Sequence, residues 1–87
     1  MALLSESDKR AVDSVLVEEL HVAQEQLTPE ARFDEDLGAD SLTLVEIAIA
    51  LEEHFNLSIP DETWDGVKTV GDLYEMLAEL LYKTKAR

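Results

Sequence analysis

Asp40-Ser41-Leu42-Thr43-Leu44-Val45-Glu46-Ile47-Ala48-Ile49-Ala50-Leu51-Glu52-Glu53-His54-Phe55 has no proline or glycine, and its apolar residues recur at helical spacing. The pattern predicts a helix from about Asp40 to Phe55 or Asn56, with Asp40 as the natural N-cap after Gly38-Ala39. With Ser41 as the origin and about 100° per residue, Leu44, Ile47, Ala48, Leu51 and Phe55 gather between roughly 240° and 340°. That face suffices for the core of a small bundle. Leu42, Val45 and Ile49 gather separately at about 40° to 100°, with Glu46 and Glu53 beside them and Glu52 on the opposite flank. A helix with two apolar faces is either central in its bundle or presents one of them to a partner. The flanking carboxylates suit the second reading, since they would steer a basic partner onto the stripe.

Outward from this helix the chain stays helical. A first helix should begin near Ser5 or Ser7, with Glu6 and Asp8 in its first turn and Val12, Val15, Leu16 and Leu20 on one face. Residues 21–39 lose the periodicity and contain Thr28-Pro29 and Gly38, so they read as a long connection anchored by Leu27, Phe33 and Leu37. Pro60, welcome at a first helical position, precedes a short helical turn through Trp64 that Gly66 closes. Thr69 then caps a last helix, with Asp72 completing an imperfect capping box. Val70, Leu73, Leu77, Leu80 and Leu81 form the apolar stripe of that helix, which should fray in the basic tail 83–87. The expectation is one all-α domain over residues 1–87, its core about 5–82, built of three main helices and one short one.

Composition narrows the function. The 87 residues include 20 acidic and 7 basic ones, a net charge of −13 with histidines neutral, which argues against binding nucleic-acid phosphate. Hydrophobic residues at 46% argue against an acidic disordered tail. Between Ala11 and Val67 stand 15 acidic residues and one basic residue, Arg32, so the excess charge surrounds the two-faced helix. Cysteine is absent, which excludes zinc fingers, disulfide scaffolds and genetically encoded thiol catalysis. Leu3-Leu4 is too short for a signal-peptide core, and the chain reads as cytoplasmic, with no membrane insertion. Asn56-Leu57-Ser58 matches a glycosylation sequon, which carries no weight without a secretory signal.

Ser41 stands at the helix start on the edge of the second stripe. A catalytic serine needs a base and an oxyanion hole, and no Gly-x-Ser-x-Gly elbow is present. The available bases are His21 and His54, and His54 projects away from Ser41 on the same helix. A serine that another enzyme modifies fits better than a nucleophile. Asp61-x-Thr63-x-Asp65-Gly66 followed by Asp72 approximates a calcium loop, but Asp72 replaces the bidentate glutamate and Pro60 interrupts the entering helix, so no metal site is expected. An acidic decoy of nucleic acid would fit the charge and leave Ser41 unexplained. Trp64 reads as a core or rim packer, and the basic tail as a solvated one.

Asp36-Leu37-Gly38-Ala39-Asp40-Ser41-Leu42 resembles the phosphopantetheine attachment motif of acyl carrier proteins. The resemblance continues through Val45-Glu46, Ala50-Leu51-Glu52-Glu53-His54-Phe55 and Ile59-Pro60-Asp61-Glu62, and resumes at Val67 and Val70. It implies a small four-helix bundle, monomeric and without catalytic activity of its own. Ser41 would take 4′-phosphopantetheine from coenzyme A through a magnesium-dependent phosphopantetheinyl transferase, and the arm's thiol would hold acyl groups as thioesters. Gly38, Asp40 and Leu42 correspond to the rest of the attachment motif. Leu42, Val45, Glu46, Ile49, Glu52 and Glu53 would dock acyltransferases, ketosynthases or other acyl-thioester enzymes with basic surfaces. Leu44, Leu51, Phe55, Ile59 and Val67 would line a cavity for the acyl chain. Thr43, where fatty-acid carriers often have an acid, Leu44, where a small polar residue is common, and His21, where glycine often closes the first helix, depart from the pattern. They point toward fatty-acid, polyketide or a more specialised lipid synthesis without choosing among them.

Overall fold

In the computed structural model, which describes residues 4–85 (side chains of 83–85 excepted), α1 spans Glu6–Leu20, α2 Ser41–Phe55 and α3 Val70–Lys85. A three-residue 3-10 turn, Gln24–Gln26, and a six-residue 3-10 helix, Asp61–Gly66, complete the regular structure. The all-α expectation holds: the described residues form no strand, and one isolated bridge pairs Arg32 with Thr69. Leu3 and the Ala86-Arg87 end of the basic tail lie outside the described residues.

Local chemistry sets each helix boundary. Ser5 caps α1, its hydroxyl accepting from the Asp8 N–H at 3.2 Å. His21 closes α1 in the left-handed conformation, φ 57°, and its N–H reaches the Val17 carbonyl at 3.0 Å. Asn56 ends α2 the same way with φ 54°. Asparagine tolerates this conformation better than most residues. Pro60 is the extended residue before the short helix rather than its first member, and the 3-10 winding continues through Gly66. Contrary to the expected fraying, α3 runs on to Lys85.

The core is centred on Val12, Leu16, Ile47, Leu51, Val70, Leu73 and Leu77, all fully buried. Leu27, Phe33 and Leu37 of the long connection are buried with them, as is Ala31, so the connection forms a wall of the bundle. A Cα radius of gyration of 12.0 Å matches a packed chain of this size and leaves no room for an extended excursion. Leu80 and Leu81 of the expected α3 stripe are half-buried, while Met76 and Ala78 join the core.

The connection also completes the start of α3. Free N–H groups at a helix start need acceptors, and here each of the first four has one. Val70 N–H donates to the Ala31 carbonyl (3.0 Å) and Gly71 N–H to that of Pro29 (3.0 Å). Asp72 N–H donates to Thr69 Oγ1 (3.1 Å) and Leu73 N–H to the Thr69 carbonyl (3.2 Å). In return Asp72 Oδ2 accepts from the Lys68 and Thr69 N–H groups at 3.0 and 3.2 Å, the reciprocal box the sequence suggested. Those bonds, the Lys68 N–H first, hold the Asp72 carboxyl below its ordinary value of 3.8. A depressed folded value contributes stability that is fully present above the unfolded value and lost as pH falls through the folded one. The stability difference between the native chain and Asp72→Asn should therefore be constant from pH 7 to about 5 and shrink below about pH 4. Denaturant titrations of both proteins across that range check this; a gap unchanged at pH 3 would show that Asp72 does not act through its charge.

Gly71 sits where a side chain would strike the connection. A Cβ there would lie 3.0 Å from the Pro29 carbonyl oxygen and 3.4 Å from Pro29 Cβ. Replacing a helical glycine by alanine ordinarily gains about 1 kcal/mol, but overpacking against fixed backbone costs roughly 1–3 kcal/mol. Gly71→Ala should therefore lower the melting temperature by several degrees, a thermal denaturation curve being the check.

A buried polar node joins α1, α3 and the 3-10 turn. Asp13, an almost fully buried carboxylate, accepts hydrogen bonds from the Tyr74 hydroxyl and from Gln24 Nε2 (2.8 Å), with Lys9 Nζ at 3.6 Å. Burial, and then Asp13, push the Tyr74 hydroxyl well above its ordinary pKa, so it stays a donor.

Candidate functional site

The segment 32–41 delivers Ser41 to the surface. Arg32 N–H donates to Asp36 Oδ2 (2.8 Å), and the Arg32 carbonyl accepts from the Asp36 and Leu37 N–H groups (3.0 Å each). Gly38 follows with φ +68°, a conformation that needs glycine here for its backbone alone, since a Cβ would meet nothing within 4 Å. Ala39 N–H then bonds the Phe33 carbonyl at 2.7 Å, and the chain turns into α2.

Asp40 is extended, and its Oδ1 accepts from both the Thr43 N–H and the Thr43 hydroxyl, each at 2.9 Å. The Thr43 N–H bond, followed by the hydroxyl, draws the Asp40 carboxyl below its ordinary value and keeps it ionised. Thr43, a departure from the resemblance, thus serves as a partner of the cap. Ser41 is the first residue of α2, exposed, and its hydroxyl makes no hydrogen bond to any described residue. His54, thirteen positions on, is about 20 Å away along the helix axis. It rests edge-on against Phe55 with ring centroids 4.9 Å apart.

The second stripe is open to solvent: Leu42 is 66%, Val45 53% and Ile49 50% exposed. Of the two readings of the two-faced helix, the central one fails on these values. Glu46 and Glu53 are exposed beside the stripe. Glu52 is half-buried, and its Oε2 accepts from the Ile59 N–H at 2.7 Å, tying α2 to the following loop. The sequence gave no sign of this engagement, because it spans a turn whose path is set by Asn56.

Two recesses flank α2. A pocket of about 220 Å³ lies between it and the Asp61–Gly66 helix, lined by Leu44, Val45, Ala48, Ile49, Glu52, Ile59, Asp61 and Trp64. A smaller one of about 120 Å³ is lined by Arg32, Phe33, Asp34, Leu44, Val67 and Lys68. Leu44 thus faces both, Ile59 the first and Val67 the second. Leu51 and Phe55 line neither: Leu51 is fully buried in the core and Phe55 half-buried against it. Trp64, read from the sequence as a packer, is a wall of the larger pocket. The calcium-like segment is wound into a 3-10 helix, with Asp72 committed to the cap of α3.

Residues 10–77 match the sequence model of a family described as the phosphopantetheine attachment site. The chain belongs to the acyl carrier protein family. It is 47% identical over 68 residues to the acyl carrier protein of Helicobacter pylori strain J99, covering 78% of this chain and 87% of that protein. Membership makes it a carrier rather than a catalyst, with a phosphopantetheine prosthetic group and acyl-handling enzymes as its associates. The fold agrees: an exposed apolar stripe, a capped helix start and flanking recesses, with no described helix long and apolar enough to cross a membrane.

The site residues fit such a group. An exposed, unengaged hydroxyl is accessible to a modifying enzyme, and the positive end of the α2 dipole suits the phosphodiester that modification would place there. The group's own chemistry is that of a terminal thiol, the sulfur this cysteine-free chain lacks.

Proposed function

We propose that Ser41 is the attachment residue, that a phosphopantetheinyl transferase joins its Oγ to 4′-phosphopantetheine from coenzyme A, and that the loaded carrier works as a cytoplasmic monomer. The observation that carries this reading is the exposed Ser41 hydroxyl at the capped start of α2, beside the open apolar stripe. Gly38 turns the chain into the helix, Asp40 holds its first turn, and Leu42 begins the docking surface. Leu42, Val45 and Ile49 form the apolar centre of that surface, with Glu46 and Glu53 as its acidic rim. Glu52 contributes less, being held by the Ile59 N–H.

The cargo is an acyl thioester passed between enzymes of fatty-acid, polyketide or specialised lipid synthesis. Its chain enters the pocket lined by Leu44 and Ile59, which lies along the same side of α2 as Ser41. In projection Ser41, Val45, Ala48 and Glu52 fall within about 60° of one another. Incubating the apo-protein with coenzyme A, magnesium and a broad-specificity phosphopantetheinyl transferase tests the assignment. The intact mass should rise by one phosphopantetheine; an unchanged mass would overturn it.

A further inference from the structure

The Trp64 indole N–H is buried and has no hydrogen-bond acceptor among the described residues. An unpaired buried donor is costly, and folded proteins keep few of them. This one belongs to a wall of the 220 Å³ pocket, whose other walls are the apolar Leu44, Val45, Ala48, Ile49 and Ile59. Two carboxylates, Glu52 and Asp61, also line it. The pocket therefore combines a largely apolar surface, one donor lacking an acceptor and two acceptors.

We propose that this pocket selects acyl chains bearing a hydroxyl group over fully reduced ones, the Trp64 N–H donating to the hydroxyl oxygen. The inference rests on the attachment reading and deepens it by naming the class of cargo. A reduced alkyl chain would cover the apolar walls and leave the indole donor unpaired. A ketone would accept from Trp64 but offer no proton to Glu52 or Asp61. A hydroxyl does both, since it carries one donor and two acceptor lone pairs. An anionic chain is disfavoured, because it would enter between two carboxylates. The N–H is sealed from solvent, so a chain reaches it by parting α2 from the 61–66 helix and supplies the acceptor as it does so.

Trp64 is the sole tryptophan, so its indole proton gives a single resonance in the intact protein. The protein is loaded through the transferase with octanoyl, 3-oxooctanoyl and 3-hydroxyoctanoyl phosphopantetheine, and the indole proton is followed by NMR. The hydroxyacyl form should show that resonance moved downfield and exchanging with solvent about fivefold more slowly than in the octanoyl form. The oxo form should fall between them. In Trp64→Phe, which keeps an apolar ring and loses the donor, the higher melting temperature of the hydroxyacyl over the octanoyl form should disappear. Chains that load without distinguishing the indole proton overturn this inference alone. Chains that fail to load at all overturn the attachment reading, and this inference with it.

Discussion

Ser41→Ala is expected to abolish phosphopantetheine transfer while leaving the fold intact. The two halves of that expectation rest on different atoms. The hydroxyl oxygen is the nucleophile, and alanine offers no atom to form a phosphodiester, so the loss is complete rather than partial. Helix α2 keeps its cap, because Asp40 supplies the acceptor for the Thr43 N–H and the Ser41 hydroxyl bonds to no described residue. Circular dichroism and melting temperature should accordingly match the parent. Ser58→Ala is the fitting control, since Ser58 is also exposed and lies outside any helix. It should be modified at the parent rate, and a Ser41→Ala protein that still gains the group would move the attachment elsewhere.

Reversing Glu46 and Glu53 together to lysine is expected to slow acyl transfer by partner enzymes about thirtyfold. Each exposed carboxylate facing a basic partner contributes roughly 0.5 kcal/mol, and reversal replaces that attraction by a repulsion of similar size. Two such sites amount to about 2 kcal/mol, where about 1.4 kcal/mol is a factor of ten. Both side chains are exposed and hydrogen-bond to nothing described, so helicity should not change. The defect should be electrostatic in character: 1 M salt shortens the screening length to about 3 Å and should bring the two proteins together. Transfer rates of parent and variant measured at low and high salt decide this, and equal rates at low salt would show that partners dock elsewhere.

Much of this fold is legible in the sequence because it is encoded locally. The caps at Ser5, Asp40 and Thr69 involve residues three positions apart, and the period of α2 separates Ile47 and Leu51 from Val45 and Ile49. Helical projection assigns a face, however, and not a depth. It groups Leu51 and Phe55 with Leu44, yet the packing of α1 and α3 places Leu51 in the solid core and leaves Leu44 at the recesses.

Contacts that depend on the path of a loop were not readable. The bond from Ile59 N–H to Glu52 turns an expected docking carboxylate into a structural one. The Arg32–Thr69 bridge, by which the connection satisfies the start of α3, joins residues that nothing in their local sequence pairs. Asp13 and Tyr74 are 61 positions apart, and a buried aspartate within an apolar face was the one available hint. Trp64 became part of a pocket wall only because the chain after Asn56 folds back along α2.

The central claim is that one serine, at the start of α2, carries the prosthetic group. The chain has five serines, so fragmentation mass spectrometry of the modified protein can discriminate among them. The account predicts the phosphopantetheine on the peptide containing Asp40-Ser41-Leu42, with the mass retained on Ser41. The same group found on Ser5, Ser7, Ser14 or Ser58, with Ser41 unmodified, would contradict it.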